Sequence, residues 1–409
     1  MDTATTTRTA TTWLVSARDE EGLRAAAAAI ASAQTVDPRA LAALPRLPHR
    51  AAVTAVGPDA ARAAMADVAA DAFSPDAVRG VADTGPVGAL FTGQGSQRPG
   101  MGRELAQLVP DFGDALRDVC AALDAELPRP LLPLVFSEPG SPEAEALGTT
   151  EFTQPALFAV EVALFRVFES WGLRPAALLG HSIGELSAAH VAGVFDLADA
   201  AAVIAARGRL MQSARPDGAM IAIAAPEDAV LPHLVPGVGI AAVNGPKAVV
   251  ISGDAGSAAE VAAALAADGH KTTPLRVGRA FHSSHMDPVL DEFHAVVSSV
   301  ELHEPRIPVV SNVTGRVAND LTDPAYWVSH LRSAVRFADG VRTMTNDGVR
   351  TFVEFGPDPT LSALGRTCAP DAVFVHTLRR RTPEHATVLG AAAALWVRGS
   401  ELDWSRILD

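Results

Sequence analysis

Apolar positions recur along this chain in two rhythms. Short runs such as TWLVSA (12–17), HRAAVTAV (49–56), VGALFT (87–92), AALLG (176–180) and TFVEFG (351–356) read as strands. Ala-rich stretches such as EEGLRAAAAAIASA (20–33), DAARAAMADVAADA (59–72) and ELSAAHVAG (185–193) read as helices. Strands that alternate with helices in this way predict an α/β protein. Between residues 218 and 278 the order becomes strand, helix, strand, strand, helix, strand, in GAMIAIAA, PEDAVLPHL, VGIAAVNG, KAVVISGD, SAAEVAAALAADG and KTTPLRVG. That order is the βαββαβ signature of a ferredoxin-like unit.

The pattern divides the chain into segments. Residues 1–11 are Thr-rich and without periodicity, which predicts a frayed leader. Residues 12–86 read as a small α/β unit and residues 87–375 as a larger core, with the ferredoxin-like subdomain inserted over about 214–280. A C-terminal tail covers 376–409. The fold expected is therefore an α/β-hydrolase-like core with an inserted ferredoxin-like subdomain, preceded by a small α/β domain. YWVSHLRSAVRFADGVRTM (326–344) reads as one helix.

Charge and composition narrow the function classes. A length of 409 residues exceeds a typical single core, and 48% hydrophobic with 20% charged residues is a globular balance. The net charge of -14 argues against a nucleic-acid binder, which needs a basic face. No apolar run approaches a membrane span, and a cytoplasmic location is the expectation. Cys120 and Cys368 stand far apart with no CxxC pair, so neither a disulfide framework nor a cysteine metal site is indicated.

The chemistry-bearing signal is Gly180-His181-Ser182-Ile183-Gly184, a GxSxG run between an apolar strand and a helix. So sharp a turn needs glycine on both sides of the serine, and it lifts the hydroxyl out of the sheet. The helix start behind it offers free N–H groups to a developing oxyanion. A serine hydroxyl needs a base within hydrogen-bond reach. Of twelve histidines, His282 in AFHS is the first candidate, because it stands where the inserted unit returns to the core. His181 is expected to point away along the backbone. Arg207, late in the helix LADAAAVIAARGRLMQ, reads on physics alone as a solvated residue compatible with the helix dipole. Arg209 falls on another face of that helix.

Phe91-Thr92-Gly93-Gln94-Gly95-Ser96-Gln97, the GHSIGE run from Gly180 to Glu185, Arg207 in AARGRLMQ, Gly218-Ala219-Met220, Val243-Asn244-Gly245-Pro246 and AFHS occur in one order. Together they resemble the acyltransferase domain of modular type I polyketide synthases, itself similar to malonyl-CoA:acyl-carrier-protein transacylases. Residues 12–84 resemble the linker from ketosynthase to acyltransferase, and LRRRTPEHATVLGAAAALWVRGSELDW (378–404) resembles the linker that follows the acyltransferase and wraps back over it. Linkers without a ketosynthase suggest a piece of a larger or split synthase.

The resemblance implies an enzyme that moves an acyl group from acyl-CoA through Ser182 to the phosphopantetheine thiol of an acyl carrier protein. It implies Ser182 as nucleophile, His282 as base and acid, and the backbone N–H groups of Gln94 and Ile183 as oxyanion hole. A main-chain carbonyl near His330 is expected to orient His282, and Arg207 to clamp a malonyl carboxylate. Met220, Asn244 and Phe281 are expected at the substrate. No metal or redox cofactor is implied, and the partners implied are acyl-CoA, the carrier protein and a neighbouring ketosynthase. AFH at 280–282 and Ile183 after the serine are features of members that use malonyl units, whereas methylmalonyl users tend to carry ASH and glutamine. Arg279 stands where histidine is common. The rivals are methylmalonyl as the acyl group, a serine hydrolase or thioesterase, which needs water and usually an acidic third member, and a non-catalytic docking domain.

Overall fold

The computed structural model describes residues 9–409. Its strands sort into three sheets. β1 (Ala10–Ala17), β2 (His49–Val56) and β3 (Ala77–Val81) form an antiparallel sheet in that order, backed by the helices Glu20–Ser32 and Pro58–Ala69. β4 (Val87–Phe91) and β5 (Ala177–Gly180) begin the central sheet. β6 (Gly218–Ile223), β7 (Val238–Gly245), β8 (Ala248–Asp254) and β9 (Thr272–Pro274) make the third. β10 (Val309–Val310), β11 (Thr351–Phe355) and β12 (Val373–His376) complete the central one.

The central sheet is parallel throughout, in the order β10-β5-β4-β11-β12. Helices cover both faces of such a sheet, so its strands read as unbroken apolar runs. The 21-residue helix Thr150–Ser170 is buried along most of its length. Phe165 and Phe168 on this helix meet Phe91 of β4 and Phe355 of β11 with ring centroids 5.4 to 5.8 Å apart. Aromatic pairs of this kind add about 0.5–1.5 kcal/mol each beyond area burial. They fix the strand that leads into the GQGSQ loop. All these strands point their carboxyl ends the same way, and in open α/β sheets that edge is where ligands bind.

The third sheet runs β7-β8-β6-β9 and is antiparallel. Strand order and connections are those of a ferredoxin-like unit, inserted between the helix Leu197–Ser213 and residue 284. It forms a wall above the carboxyl edge of the central sheet. The helix Glu384–Val397 joins the other two units. The buried Glu384 carboxylate accepts hydrogen bonds from the N–H groups of Gly102 (2.8 Å) and Leu105 (3.2 Å) and pairs with Arg98. Arg50 of β2 donates to the Trp396 carbonyl at 2.8 Å and stacks over its ring.

Two expectations are corrected. β1 begins at Ala10, paired with Val56, because Ala10 and Leu14 pack into the main core. The expected leader at 1–11 therefore runs two residues too far, and residues 1–8 lie outside the described residues. The stretch 326–344 is two helices, Pro324–Arg332 and Phe337–Asn346. Ser333 turns extended, and β-branched Val335 pairs instead with β7, donating to Ala241 and accepting from Val243 at 2.8 Å each.

Candidate active site

β5 ends at Gly180, and the helix Ile183–Ala192 starts three residues later. Ser182 lies between them at φ 54° and ψ -114°, a backbone conformation strained for any residue but glycine. The neighbouring glycines make the turn possible. A Cβ at Gly180 would collide with the backbone of Glu185 and Gly184, and one at Gly184 with the Phe91 carbonyl. The His181 N–H donates to that Phe91 carbonyl at 3.0 Å, which anchors the turn to β4.

Ser182 Oγ lies 2.8 Å from His282 Nε2, and His282 Nδ1 lies 2.8 Å from the Ser333 carbonyl. A carbonyl only accepts, so Nδ1 carries the proton and Nε2 is free to accept from the serine. Burial, reinforced by the positive charge of Arg207, pushes the His282 pKa down to about 3, which keeps the ring neutral. Arg207 Nη2 donates to Ser182 Oγ at 3.2 Å, and its Nη1 donates to Gln154 Oε1 at 2.7 Å. Burial lowers the pKa of this guanidinium to about 9, opposed by the Glu185 carboxyl, and it remains cationic at neutral pH.

These groups open into a cavity of about 200 Å³ between the central sheet and the ferredoxin-like unit. Gln94, Gln154, His181 and Leu361 line the core side, and Met220, Ala242, Asn244 and Val277 the other. Among the described residues, the backbone N–H groups of Gln94 and Ile183 donate no hydrogen bond within the protein.

A family model for the acyl transferase domain matches residues 90–401. The chain belongs to this family. It is 47% identical over 371 residues to a spectinabilin polyketide synthase system protein of Streptomyces orinoci, covering 88% of this chain and 17% of that protein. The acyltransferase chain thus spans about a sixth of that relative. The acyltransferase domain from the second module of the salinomycin polyketide synthase is 44% identical, with a TM-score of 0.82, over 96% of this chain and 95% of that one. An acyl carrier protein S-malonyltransferase from Vibrio cholerae is 32% identical, with a TM-score of 0.66, over 72% of this chain and 97% of that one.

In this acyltransferase the structure brings Ser182, His282, Arg207, Gln94, Met220, Asn244 and Phe281 to one cavity or its edge. Three sequence expectations change: the carbonyl that faces His282, the direction of His181, and the solvated reading of Arg207, which is wholly buried. The carbonyl at His282 belongs to Ser333, three residues beyond His330, because the helix ends at Arg332 and its last turn swings that peptide inward. His330 is itself buried, its ring 3.8 Å from Glu185. Ile183 offers its N–H at the turn, but its side chain packs wholly in the core. His181 does not point away: it lines the cavity and shares a 2.8 Å hydrogen bond with Asn244.

Other contributors were missed. Gln154 is a polar residue near the start of the buried helix TEFTQPALFAVEVALFRVFES, just before a long apolar run, which is the signal that could have found it. Asn312 lies two residues beyond β10, and its side chain bonds to the Ser182 turn. Ser333 acts through a carbonyl, which every residue carries, so no side-chain signal marked it.

Proposed function

We propose that this acyltransferase takes a malonyl group from malonyl-CoA, holds it as an ester on Ser182, and passes it to the phosphopantetheine thiol of an acyl carrier protein. The observation that carries this reading is a single hydroxyl with two partners, Ser182 Oγ at 2.8 Å from His282 Nε2 and 3.2 Å from Arg207 Nη2. The histidine suits a nucleophile. The buried guanidinium suits an acyl group that brings a carboxylate of its own.

In the first half-reaction His282 Nε2 takes the hydroxyl proton as Oγ bonds to the thioester carbon. The oxyanion faces the N–H groups of Gln94 and Ile183. Collapse breaks the C–S bond, and Nε2 returns the proton to the departing coenzyme A thiolate. In the second, Nε2 takes the proton of the carrier thiol, the sulfur attacks the ester, and Oγ leaves and is reprotonated. Only protons and the acyl group move, and the reading requires no metal or redox cofactor. The Ser333 carbonyl does the orienting that a carboxylate does in serine hydrolases.

Phe281 lines the cavity next to His282, and the reading assigns it the preference for malonyl over methylmalonyl. On the same reading residues 12–86 and 376–409 are linkers of a polyketide synthase, with a ketosynthase as neighbour. The test is discharge of malonylated enzyme. Adding a holo carrier protein should move the malonyl group to its thiol faster than water removes it. Hydrolysis that a carrier does not outrun would make the protein a hydrolase.

A further inference from the structure

The backbone of the Ser182 turn is bonded on both sides. On one side the His181 N–H reaches the Phe91 carbonyl of β4 at 3.0 Å. On the other, the neighbouring strand β10 has already ended, since it pairs only Val309 with Leu178 and Val310 with Leu179. Two steps further in that register, Asn312 stands opposite His181. Its side-chain Nδ2 donates to the Gly180 carbonyl at 2.6 Å, and its Oδ1 accepts from the Ser182 N–H at 2.6 Å. These are the two bonds, to the residues before and after its partner, that a residue in a parallel strand makes through its backbone. The side-chain amide continues the ladder where the main chain has left it.

The main chain of Asn312 is used elsewhere. Its N–H donates to Glu185 Oε2 at 2.5 Å, in the helix behind the serine. The other Glu185 oxygen accepts from the Tyr326 hydroxyl, whose oxygen also shares a 2.8 Å hydrogen bond with Ser311 Oγ. The Asn312 carbonyl accepts from the Arg336 N–H at 2.7 Å. Arg336 closes the short break between helices whose first residue, Ser333, presents its carbonyl to His282. Asn312 is therefore bonded at once to the nucleophile turn, to the helix that follows it, and to the segment that orients the base. It is 1% exposed, and it touches neither the cavity nor the reacting atoms.

We propose that Asn312 is a positioning residue that holds the strained Ser182 turn and keeps it in register with the Ser333 carbonyl that orients His282. The proposal rests on the reading of Ser182 as nucleophile and His282 as base. Its reach follows from geometry: a displacement near 1 Å between reacting groups costs about a hundredfold in rate. Substrate contacts come from other residues, so binding should be spared. Gln and Asp differ from Asn in instructive ways. Gln moves the amide by a methylene, whereas a protonated Asp has the same shape as Asn, with one oxygen accepting and an O–H donating.

The experiment is single-turnover acylation by malonyl-CoA of the full chain, with wild type, Asn312→Ala and Asn312→Asp compared per folded molecule at each pH. Asn312→Ala should acylate about a hundredfold more slowly, with KM for malonyl-CoA within threefold of wild type. Asn312→Asp should approach the wild-type rate at pH 6, where its buried carboxyl is protonated beside Glu185. It should fall at least tenfold behind by pH 9, because an ionised carboxylate repels the Gly180 carbonyl. A merely structural role would not produce that recovery with acid. An Ala rate within twofold of wild type, a loss seen only in KM, or a ratio of Asp to wild type that does not change with pH would each overturn the proposal. So would losses in both variants that vanish once unfolded protein is counted out. A wild type that forms no acyl adduct is a different failure, that of the nucleophile reading itself.

Discussion

Arg207 Nη2 stands 3.2 Å from Ser182 Oγ, while the second guanidinium nitrogen is held at 2.7 Å by Gln154. A helix position that read as solvated thus carries a fully buried cation at the Ser182 hydroxyl. The solvated reading failed because the helix Leu197–Ser213 is packed on both sides, by the helices Thr150–Ser170 and Leu290–Val297. The chain spends burial on a charge that needs an anionic partner.

Arg207→Ala should therefore lose malonyl transfer and largely spare acetyl transfer, since acetyl-CoA has no free carboxylate. Loss of a buried charge-assisted pair costs on the order of 2–5 kcal/mol, about thirty- to several-thousand-fold in rate. Initial rates with both thioesters decide it. Equal losses would make Arg207 structural.

Phe281 precedes His282 and lines the cavity, whereas the Ile183 side chain packs in the core, so on the proposed reading discrimination against an α-methyl group falls to Phe281 and not to Ile183. One methyl judged by shape is worth about 1–3 kcal/mol, roughly ten- to two-hundred-fold. Competition between malonyl-CoA and methylmalonyl-CoA should show that preference in wild type and its relaxation in Phe281→Ser. Equal use of both by the wild type would refute the pocket argument and leave the transferase reading standing.

His282 must be neutral to act as base, and burial holds its pKa at about 3. An ordinary histidine, near 6.5, would be half inactivated at that pH. Because the folded value is depressed, the active neutral form persists as pH falls. Acylation rates should stay level from pH 8 to about pH 5. A descending limb centred near 6.5 would contradict this environment for the base.

Glu161 sits wholly buried on the central helix, accepting from Thr92 at 2.5 Å and from Ser187 at 2.7 Å. It thereby ties the strand before Gln94 to the helix after Ser182. Burial raises its pKa to about 8, against 4.5 unfolded. The folded value is the higher, so its contribution to stability is complete below pH 4.5 and is lost as pH rises towards 8. The urea midpoint of Glu161→Gln should fall less between pH 5 and pH 9 than that of wild type. Parallel declines would show that this carboxyl is not protonated in the fold.

Periodicity and one pentapeptide carried far in this chain, for a physical reason. Buried parallel strands are legible as apolar runs, and Gly180 and Gly184 are legible because sterics at the turn admit little else. The ferredoxin-like order was readable because its six elements are contiguous. What the sequence could not display was the break at Ser333, where helical propensity loses to the pairing of Val335 with β7, and with it the carbonyl at His282. Asn312 was equally hidden, since its importance comes from register with β5, a relation between segments 130 residues apart. Both belong to the contacts between segments, and periodicity reports only on the segments themselves.

The central claim is an acyl ester on Ser182, and intact mass spectrometry after mixing the protein with malonyl-CoA tests it most directly. The account predicts a single malonyl adduct on the wild type, mapped to Ser182 by peptide fragmentation, and no adduct on Ser182→Ala. An adduct that persists at the same rate in Ser182→Ala, or a folded wild type that gains no mass from malonyl-CoA, would contradict it.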